Sequence, residues 1–290
     1  QEYFDWSAWT GFLPGNIGLS RLSTDLEAWL TLDAGTVVEV RSRLDIPEIA
    51  VTRDKRQVAV QNIHTELTAT IAADETFAWL DNVSFQYKGE QWQHSLHQLY
   101  YSPDSVELLS DKVDVGLLSA LGEVMTDNRV LKGLEPSGKL LNSRILWTPA
   151  ADPIDQLLIQ GRFEDAEINP WRGVPGLKGI DGFVDMTLAG GYLKIAPSDA
   201  WIDLPKVFDA PVFLSNTSGG LTWRWSPERG LFLASDNLHT EISGVDNISL
   251  AFSVLSPQPA DWAVREPRFE FHLEFDRSDK TDCRPFCHYR

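Results

Sequence analysis

The amino-acid sequence predicts a mainly β fold: a curved antiparallel sheet built of two repeats that together form an apolar groove, with one or two short helices. Three observations carry this expectation. Apolar and polar residues alternate with period two in many short runs, turn residues separate the runs, and a set of three motifs occurs twice in the same order.

The alternation is clearest near the C-terminus, where Phe269, Phe271, Leu273 and Phe275 are interleaved with Glu270, His272 and Glu274. Ile248, Leu250, Phe252 and Val254 alternate with Ser249, Ala251 and Ser253, and Leu221, Trp223 and Trp225 with Thr222 and Arg224. Val184, Met186 and Leu188 alternate with Asp185 and Thr187, while Val58 and Val60 face away from Gln57 and Gln61. Leu193, Ile195, Leu231 and Leu233 belong to runs of the same kind. Turns are expected at Asp33-Ala34-Gly35, Ala189-Gly190-Gly191, Ser218-Gly219-Gly220 and Pro227-Glu228-Arg229-Gly230. One helix is expected over residues 111–125, where Val113, Leu117, Leu118, Leu121, Val124 and Met125 recur near helical spacing and Asp111 or Asp114 can cap the start. A shorter helix is expected over residues 153–158, and residues 74–80 fit either state.

The internal similarity pairs Leu44-Asp45-Ile46-Pro47-Glu48-Ile49 with Ile202-Asp203-Leu204-Pro205-Lys206-Val207. Upstream of each lies a glycine turn, at Gly35 and Gly191. Downstream, Gln61-Asn62-Ile63-His64-Thr65-Glu66-Leu67 matches Asp236-Asn237-Leu238-His239-Thr240-Glu241-Ile242. The longer spacing in the second copy fits an extra hairpin around Ser218-Gly219-Gly220. The expected organisation is a first β repeat over residues 1–130 ending in a helix, a second over 131–277, and a disordered or appended tail over 278–290. Repeats of strands stack their apolar faces into one continuous surface.

Composition narrows the function. Lys and Arg number 25 against 42 Asp and Glu, a net charge of −17, which repels phosphate backbones; no nucleic-acid partner is expected. No apolar run approaches the ~20 residues of a membrane-spanning helix. Residues 1–9 carry no basic stretch and no initiator Met, so the chain reads as excised from a longer protein, and a membrane anchor, if there is one, is expected outside this segment. The two cysteines, Cys283 and Cys287, both lie in the tail, so the fold does not depend on disulfides or structural zinc.

Catalytic signatures are missing: no P-loop, no Gly-x-Gly-x-x-Gly, no His-Glu-x-x-His and no Gly-x-Ser-x-Gly occur. Gly173, Gly176, Gly179 and Gly182 are expected to shape a loop between strands. His94 and His97 would share a metal only on a helix, and no carboxylate cluster completes a site there. The Cys283, Cys287 and His288 group is a partial metal set at most. His64 and His239 occupy matching positions, which suits a packing or hydrogen-bonding role. Asp181 with Asp185, or Asp203 with Asp209, are the pairs a glycan hydrolase would use, although solvated strand edges account for both. The sequons at Asn82, Asn216 and Asn247 matter only in a glycosylated secreted protein. No catalytic residue, cofactor or metal is expected.

A resemblance runs through the second half. Gly161-Arg162-Phe163 leads into Asn169-Pro170-Trp171-Arg172-Gly173-Val174-Pro175-Gly176-Leu177-Lys178-Gly179-Ile180-Asp181-Gly182. Then follow Gly191-Tyr192-Leu193, Asp203-Leu204-Pro205-Lys206-Val207-Phe208 and Leu221-Thr222-Trp223-Arg224. The first half contributes Gly18-Leu19-Ser20-Arg21-Leu22 and Asp45-Ile46-Pro47. This series resembles the YhdP-type proteins of Gram-negative bacteria, in the AsmA-like superfamily, over roughly residues 3–277. The resemblance implies an interior section of a periplasmic lipid-transfer conduit, part of a protein anchored in the inner membrane. It further implies a long apolar groove that moves phospholipid between inner and outer membranes and supports the outer-membrane barrier. The implied partners are phospholipid acyl chains, neighbouring repeats of the full-length protein and other envelope proteins.

The groove candidates are therefore Val58, Val60, Val184, Met186, Leu188, Leu193, Ile195, Leu221, Trp223, Leu231, Leu233, Ile248, Leu250 and Phe252. Alternation alone leaves open which face is inward, because a one-residue slip exchanges the faces. A lipid-free β-sandwich scaffold that docks envelope proteins is the rival; it would fill its core and leave a polar surface.

Overall fold

β-Branched and aromatic residues in alternating runs become long strands, joined by turns as tight as their glycines permit. The computed structural model describes residues 4–5, 17–20, 23–54, 56–126, 129–152, 155–171, 174–187, 189–203, 205, 208–226, 228–242, 245–256 and 268–278. Among these are sixteen strands and two helices. They fall into two units, Gln1–Ala150 and Ala151–Arg290.

The first unit holds β1 (Phe4–Asp5), β2 (Ile17–Ser20), β3 (Ser23–Asp33), β4 (Thr36–Arg53), β5 (Arg56–Ile71), β6 (Thr76–Tyr87), β7 (Glu90–Tyr101) and β8 (Val106–Asp114). Helices α1 (Val115–Thr126) and α2 (Arg129–Leu134) follow, then β9 (Ser137–Trp147). The strands from β3 to β9 pair antiparallel in chain order, with β1 beside β3 and β2 on β4 beyond the end of β3. Two hairpins turn through a pair of left-handed residues, Ala34 and Gly35 (φ 48° and 85°) and Lys88 and Gly89 (φ 49° and 87°). Such mirror-image turns match the twist of the strands they join.

The second unit holds β10 (Leu157–Ile168), β11 (Gly176–Met186), β12 (Gly190–Asp203), β13 (Val212–Ser226), β14 (Gly230–Ile242), β15 (Val245–Ser256) and β16 (Arg268–Ser278). It too is an antiparallel meander in chain order. The mainly β, antiparallel architecture expected from the alternation is what the chain adopts.

Most ladders of the second unit, and several of the first, shift register partway along the strands. Asn62, Asn82, His94 and Asn142 in the first unit, and Asp165, Gly179 and Asn216 in the second, have φ between 46° and 72° in mid-strand. Gly and short polar residues tolerate this left-handed conformation, which costs other side chains ~1–2 kcal/mol. Each such bulge bends its strand and reverses the alternation beyond it. Asn82 and Asn216, read in the sequence as sequon positions, occupy two of these bulges.

Several expectations need correction. Ser218, Gly219 and Gly220 form no turn; they lie within β13. A Cβ on Gly219 would stand 2.7 Å from the Asn237 carbonyl oxygen, so glycine here admits a neighbouring backbone rather than reversing the chain. Leu157 and Leu158, assigned to a short helix, open β10. Residues 74–80, which fit either state in the sequence, resolve as strand from Thr76 on, in β6. The main helix starts only at Val115, because β8 continues to Asp114. Gly176, Gly179 and Gly182 lie in β11, not in a loop. The tail residues Cys283, Cys287 and His288 lie outside the described residues.

Candidate functional site

Residues directly opposite in an antiparallel ladder project to the same side. In the second unit, Met186 faces Gly191, Gly191 faces Trp223, Trp223 faces Leu233 and Leu233 faces Val254. One step along, Val184 faces Leu193 and Leu193 faces Leu221. Ile195 lies opposite Gly182, and Leu231 opposite Trp225. On β15, Ile248, Leu250 and Phe252 alternate in phase with Val254, and Leu250 and Phe252 face Leu273 and Phe271. Every described groove candidate of the second unit thus lies on one face. Leu188 lies outside the described residues.

The opposite face carries the charge: Arg162, Asp185, Lys194 and Arg224 on the inner strands, Glu270, His272 and Glu274 at the far edge. Aromatics are scattered among them, including the Trp201–Phe213 pair with ring centroids 5.0 Å apart. Burial separates the two faces on the inner strands: Val184 is 8% exposed and its chain neighbour Phe183 41%, and Ile195 is 8% exposed against 40% for Tyr192 earlier on β12. Toward the far edge the apolar face opens, with Leu231 39%, Leu273 49% and Phe271 77% exposed. Among the described residues of this unit, extensive contact is confined to hydrogen-bonded neighbour strands, so no second layer covers either face. Side chains on an uncovered face bury one another when they converge, which places the apolar side on the inside of the curve.

The sequence pattern missed members of this face. Phe163 and Ile180 (each 6% exposed) and Ala200 (fully buried) belong to it. Leu177, Ile202 and Val212 join it beyond the bulges, in line across three strands. Their parity is opposite to that of the candidates on the same strands, so strict alternation assigns them to the wrong side.

In the first unit the same rule gathers Leu44, Leu67, Ala69, Ala78, Leu80, Leu99, Leu108 and Ile145 on one face. Val58 and Val60 join that side because Asn62 reverses β5. Val58 packs with Phe85, Tyr87 and Val124, and Val60, Ile63, Leu117, Ala120 and Leu121 pack around this cluster. Val58 and Val60 therefore lie beneath α1. Burial pushes the Tyr87 phenol above its usual pKa, against the opposing pull of Lys88.

Helix α1 is apolar on most of its circumference, and half-exposed Leu118 looks away from the cluster. Asp114 caps it: the Leu117 amide donates to Asp114 Oδ1 at 2.8 Å. At the other end Arg56 Nη1 donates to the Glu123 carbonyl at 3.4 Å, a cation placed where the helix dipole favours one. Replacing Asp114 with Ala should cost about 1 kcal/mol of helix stability, read as faster amide exchange across α1 with the sheet unaffected.

A line of small, buried hydroxyls follows the bulges on the apolar side: Thr24, Ser42, Thr65, Ser95, Ser110 and Ser143 in one unit, Thr217 and Ser235 in the other. Where strands bend sharply inward, only small side chains fit on the inner surface. Several of these hydroxyls donate to backbone carbonyls: Thr65 to Asp81 O (3.1 Å), Ser95 to Val83 O (3.2 Å), Ser143 to Ser110 O (3.4 Å). Thr217 and Thr240 bond each other at 2.8 Å. The bulges and hydroxyls together mark a crease in each sheet.

Of the other singled-out residues, His64 Nδ1 and Asp45 Oδ1 are 2.7 Å apart, and His239 Nδ1 and Ser249 Oγ 3.0 Å, all on the polar face. Asp181 Oδ1 accepts from the Asp165 amide at 2.8 Å, repairing a bulge. Asp185 lies on the polar face opposite Tyr192. His94 is an exposed bulge residue of a strand, whereas His97 lies on the apolar face between Leu80 and Ser110. No group of three or more His, Cys, Asp or Glu placed to hold a metal occurs among the described residues. No helix among them is long and apolar enough to cross a membrane.

Comparison with known proteins agrees with the resemblance. The family model described as YhdP protein matches residues 2–286. The intermembrane phospholipid transporter YhdP of Escherichia coli (strain K12) is 20% identical over 266 residues, which covers 83% of this chain and 20% of that protein. The chain thus spans about a fifth of the length of this relative. No solved structure matches. An antiparallel meander with one apolar, uncovered face, matched by the family model almost end to end, belongs to the YhdP family.

Proposed function

We propose that the chain is a section of a periplasmic lipid-transfer conduit that moves phospholipid between the inner and outer membranes and supports the outer-membrane barrier. It acts within a protein anchored in the inner membrane outside this segment. Phospholipid acyl chains lie along the apolar face, in contact with Leu193, Ile195, Leu221, Trp223, Leu231, Leu233, Ile248, Leu250 and Phe252, with Val184 and Met186 continuing the surface. In the first unit Val58 and Val60 form the seat on which α1 closes part of that face.

One observation carries the proposal: the apolar face of the second unit is continuous across seven strands and no second layer covers it among the described residues. A sandwich scaffold would bury this face against another sheet. Each buried methylene of an acyl chain contributes ~0.8 kcal/mol, so a dry surface binds lipid without a reaction centre. Transfer makes and breaks no bonds, and the chain works without catalytic residues or cofactors. Neighbouring repeats of the full-length protein extend the surface, and other envelope proteins receive or deliver the lipid.

Native mass spectrometry of the purified chain tests the reading. Adducts of phospholipid mass that dissociate at raised collision energy are expected. A lipid-free spectrum from folded protein, persisting after incubation with phospholipid vesicles, would contradict it.

A further inference from the structure

By register, and leaving aside the strand ends, the apolar face of the second unit holds no Asp, Glu, Lys, Arg or His. In the first unit His97 interrupts the apolar face, and Lys112, two residues beyond Ser110, turns its ammonium over the Trp92 ring, 4.3 Å from the centroid. The neighbours of His97 across the ladders are Leu80 and Ser110, and it is half-buried. A leucine there would continue the dry surface, so an imidazole interrupts it at a desolvation cost.

The hydrogen bonds fix what this interruption offers. Ser95 Oγ donates to the Val83 carbonyl at 3.2 Å, so its oxygen accepts from His97 Nε2, 2.9 Å away. The ring proton then sits on Nε2, and Nδ1 presents a lone pair. Nδ1 has no protein partner among the described residues. The nearby hydroxyls are committed in the same sense: Ser110 Oγ donates to the Lys112 carbonyl at 3.0 Å, and Ser143 Oγ to the Ser110 carbonyl at 3.4 Å. The ring nitrogen and hydroxyls around His97 therefore offer acceptors and no free hydroxyl proton, while the Lys112 ammonium is turned to the Gln93 carbonyl (3.3 Å) and the Trp92 ring. Burial lowers the imidazole's proton affinity, outweighing the opposite influence of Asp111, and favours this neutral form.

We propose that His97 is where the groove recognises the polar end of its cargo: Nδ1 accepts a hydrogen bond from an N–H or O–H donor of a phospholipid headgroup. The donor is the ammonium of an amine headgroup or the hydroxyl of a glycerol headgroup. A ring nitrogen and hydroxyls that only accept disfavour a phosphate oxygen and offer nothing to a quaternary amine. Acyl chains would be held by the surrounding apolar residues, with His97 setting which headgroups pause there. This inference rests on the lipid-conduit reading.

The test incubates the purified chain with vesicles of equal parts phosphatidylethanolamine, phosphatidylglycerol and phosphatidylcholine, then quantifies the lipid that comigrates with protein. Wild type should enrich one or both donor-bearing lipids over phosphatidylcholine about three- to tenfold, the range of one hydrogen bond. Enrichment of the ethanolamine lipid alone identifies the ammonium, and of the glycerol lipid alone the hydroxyl. His97→Phe should lose the enrichment and take up lipid in vesicle proportions, and His97→Asn, whose amide oxygen can replace Nδ1 as acceptor, should keep the preference. Wild type binding lipid in vesicle proportions, or His97→Phe retaining the enrichment, would overturn the inference and leave the conduit standing. Wild type binding no lipid would overturn both. The wild-type arm decides even if a variant fails to fold.

Discussion

Placing Asp at Leu250 should strip bound phospholipid from the purified chain, lowering occupancy at least about tenfold, while the sheet stays folded. Leu250 lies in mid-strand on the apolar face, across from Leu238 and Leu273. An acyl chain covering that position would have to desolvate the new carboxylate, which costs several kcal/mol unless it takes up a proton. Without lipid the carboxylate is half-exposed, so folding suffers far less than binding. Thr222→Asp is the matched control, since Thr222 is exposed on the polar face between Tyr192 and Ala234. Lipid released per protein, with circular dichroism to verify folding, gives the comparison. Retention of lipid by Leu250→Asp would mean that the wrong face has been assigned.

Gly182→Ala should be the most damaging small substitution in the second unit. A Cβ at Gly182 would lie 2.0 Å from the Lys194 carbonyl oxygen and 2.5 Å from Phe163 Cζ. The first obstacle is backbone of the paired strand β12, so relief requires the strands to part. The Phe163 ring lies over the glycine and fills the space a side chain would take. Overpacking of this kind costs typically 1–3 kcal/mol and more where backbone must move. We expect more than about 3 kcal/mol, measured as a shift of the urea midpoint at unchanged slope. A change below about 1 kcal/mol would show that the close approach of β11 and β12 is not maintained in solution.

Legibility of the fold divided along physical lines. Strands that keep one phase were plain: β15 and β16 alternate without interruption along the residues that matter, and sequence alone placed Ile248, Leu250 and Phe252 together. Strands with a bulge were legible only in halves. Asn62, Asp165 and Asn216 look like turn residues or polar strand positions, and nothing local says that each reverses the phase. Ala200 escapes the alternation for that reason, whereas Phe163 precedes the bulge of β10 and is hidden because Gly161-Arg162-Phe163 is too short a run to show alternation. Ser218-Gly219-Gly220 reads as a hairpin because glycine serves a turn and a close approach equally well. The recurring Asn-x-His-Thr segment did hold the clue: Asn62 sits at a bulge and Asn237 at the register shift between Ser235 and Leu238, with Thr65 and Thr240 turned to the crease. Helix α1 was readable from its spacing, whereas six-residue α2 is too short for periodicity to register. That α1 covers Val58 and Val60 follows only from tertiary packing. His97 drew notice as half of a metal pair; its position on an apolar face appears only once the register is known.

Adjacent residues on one strand locate the lipid path most directly. A photo-crosslinking amino acid at Leu221 projects to the apolar face, and at Thr222 to the polar face, one residue apart on β13. Irradiation of lipid-loaded protein should join phospholipid to position 221 and leave position 222 unlabelled. Equal labelling at both positions, or labelling at 222 alone, would contradict a lipid path along the apolar face.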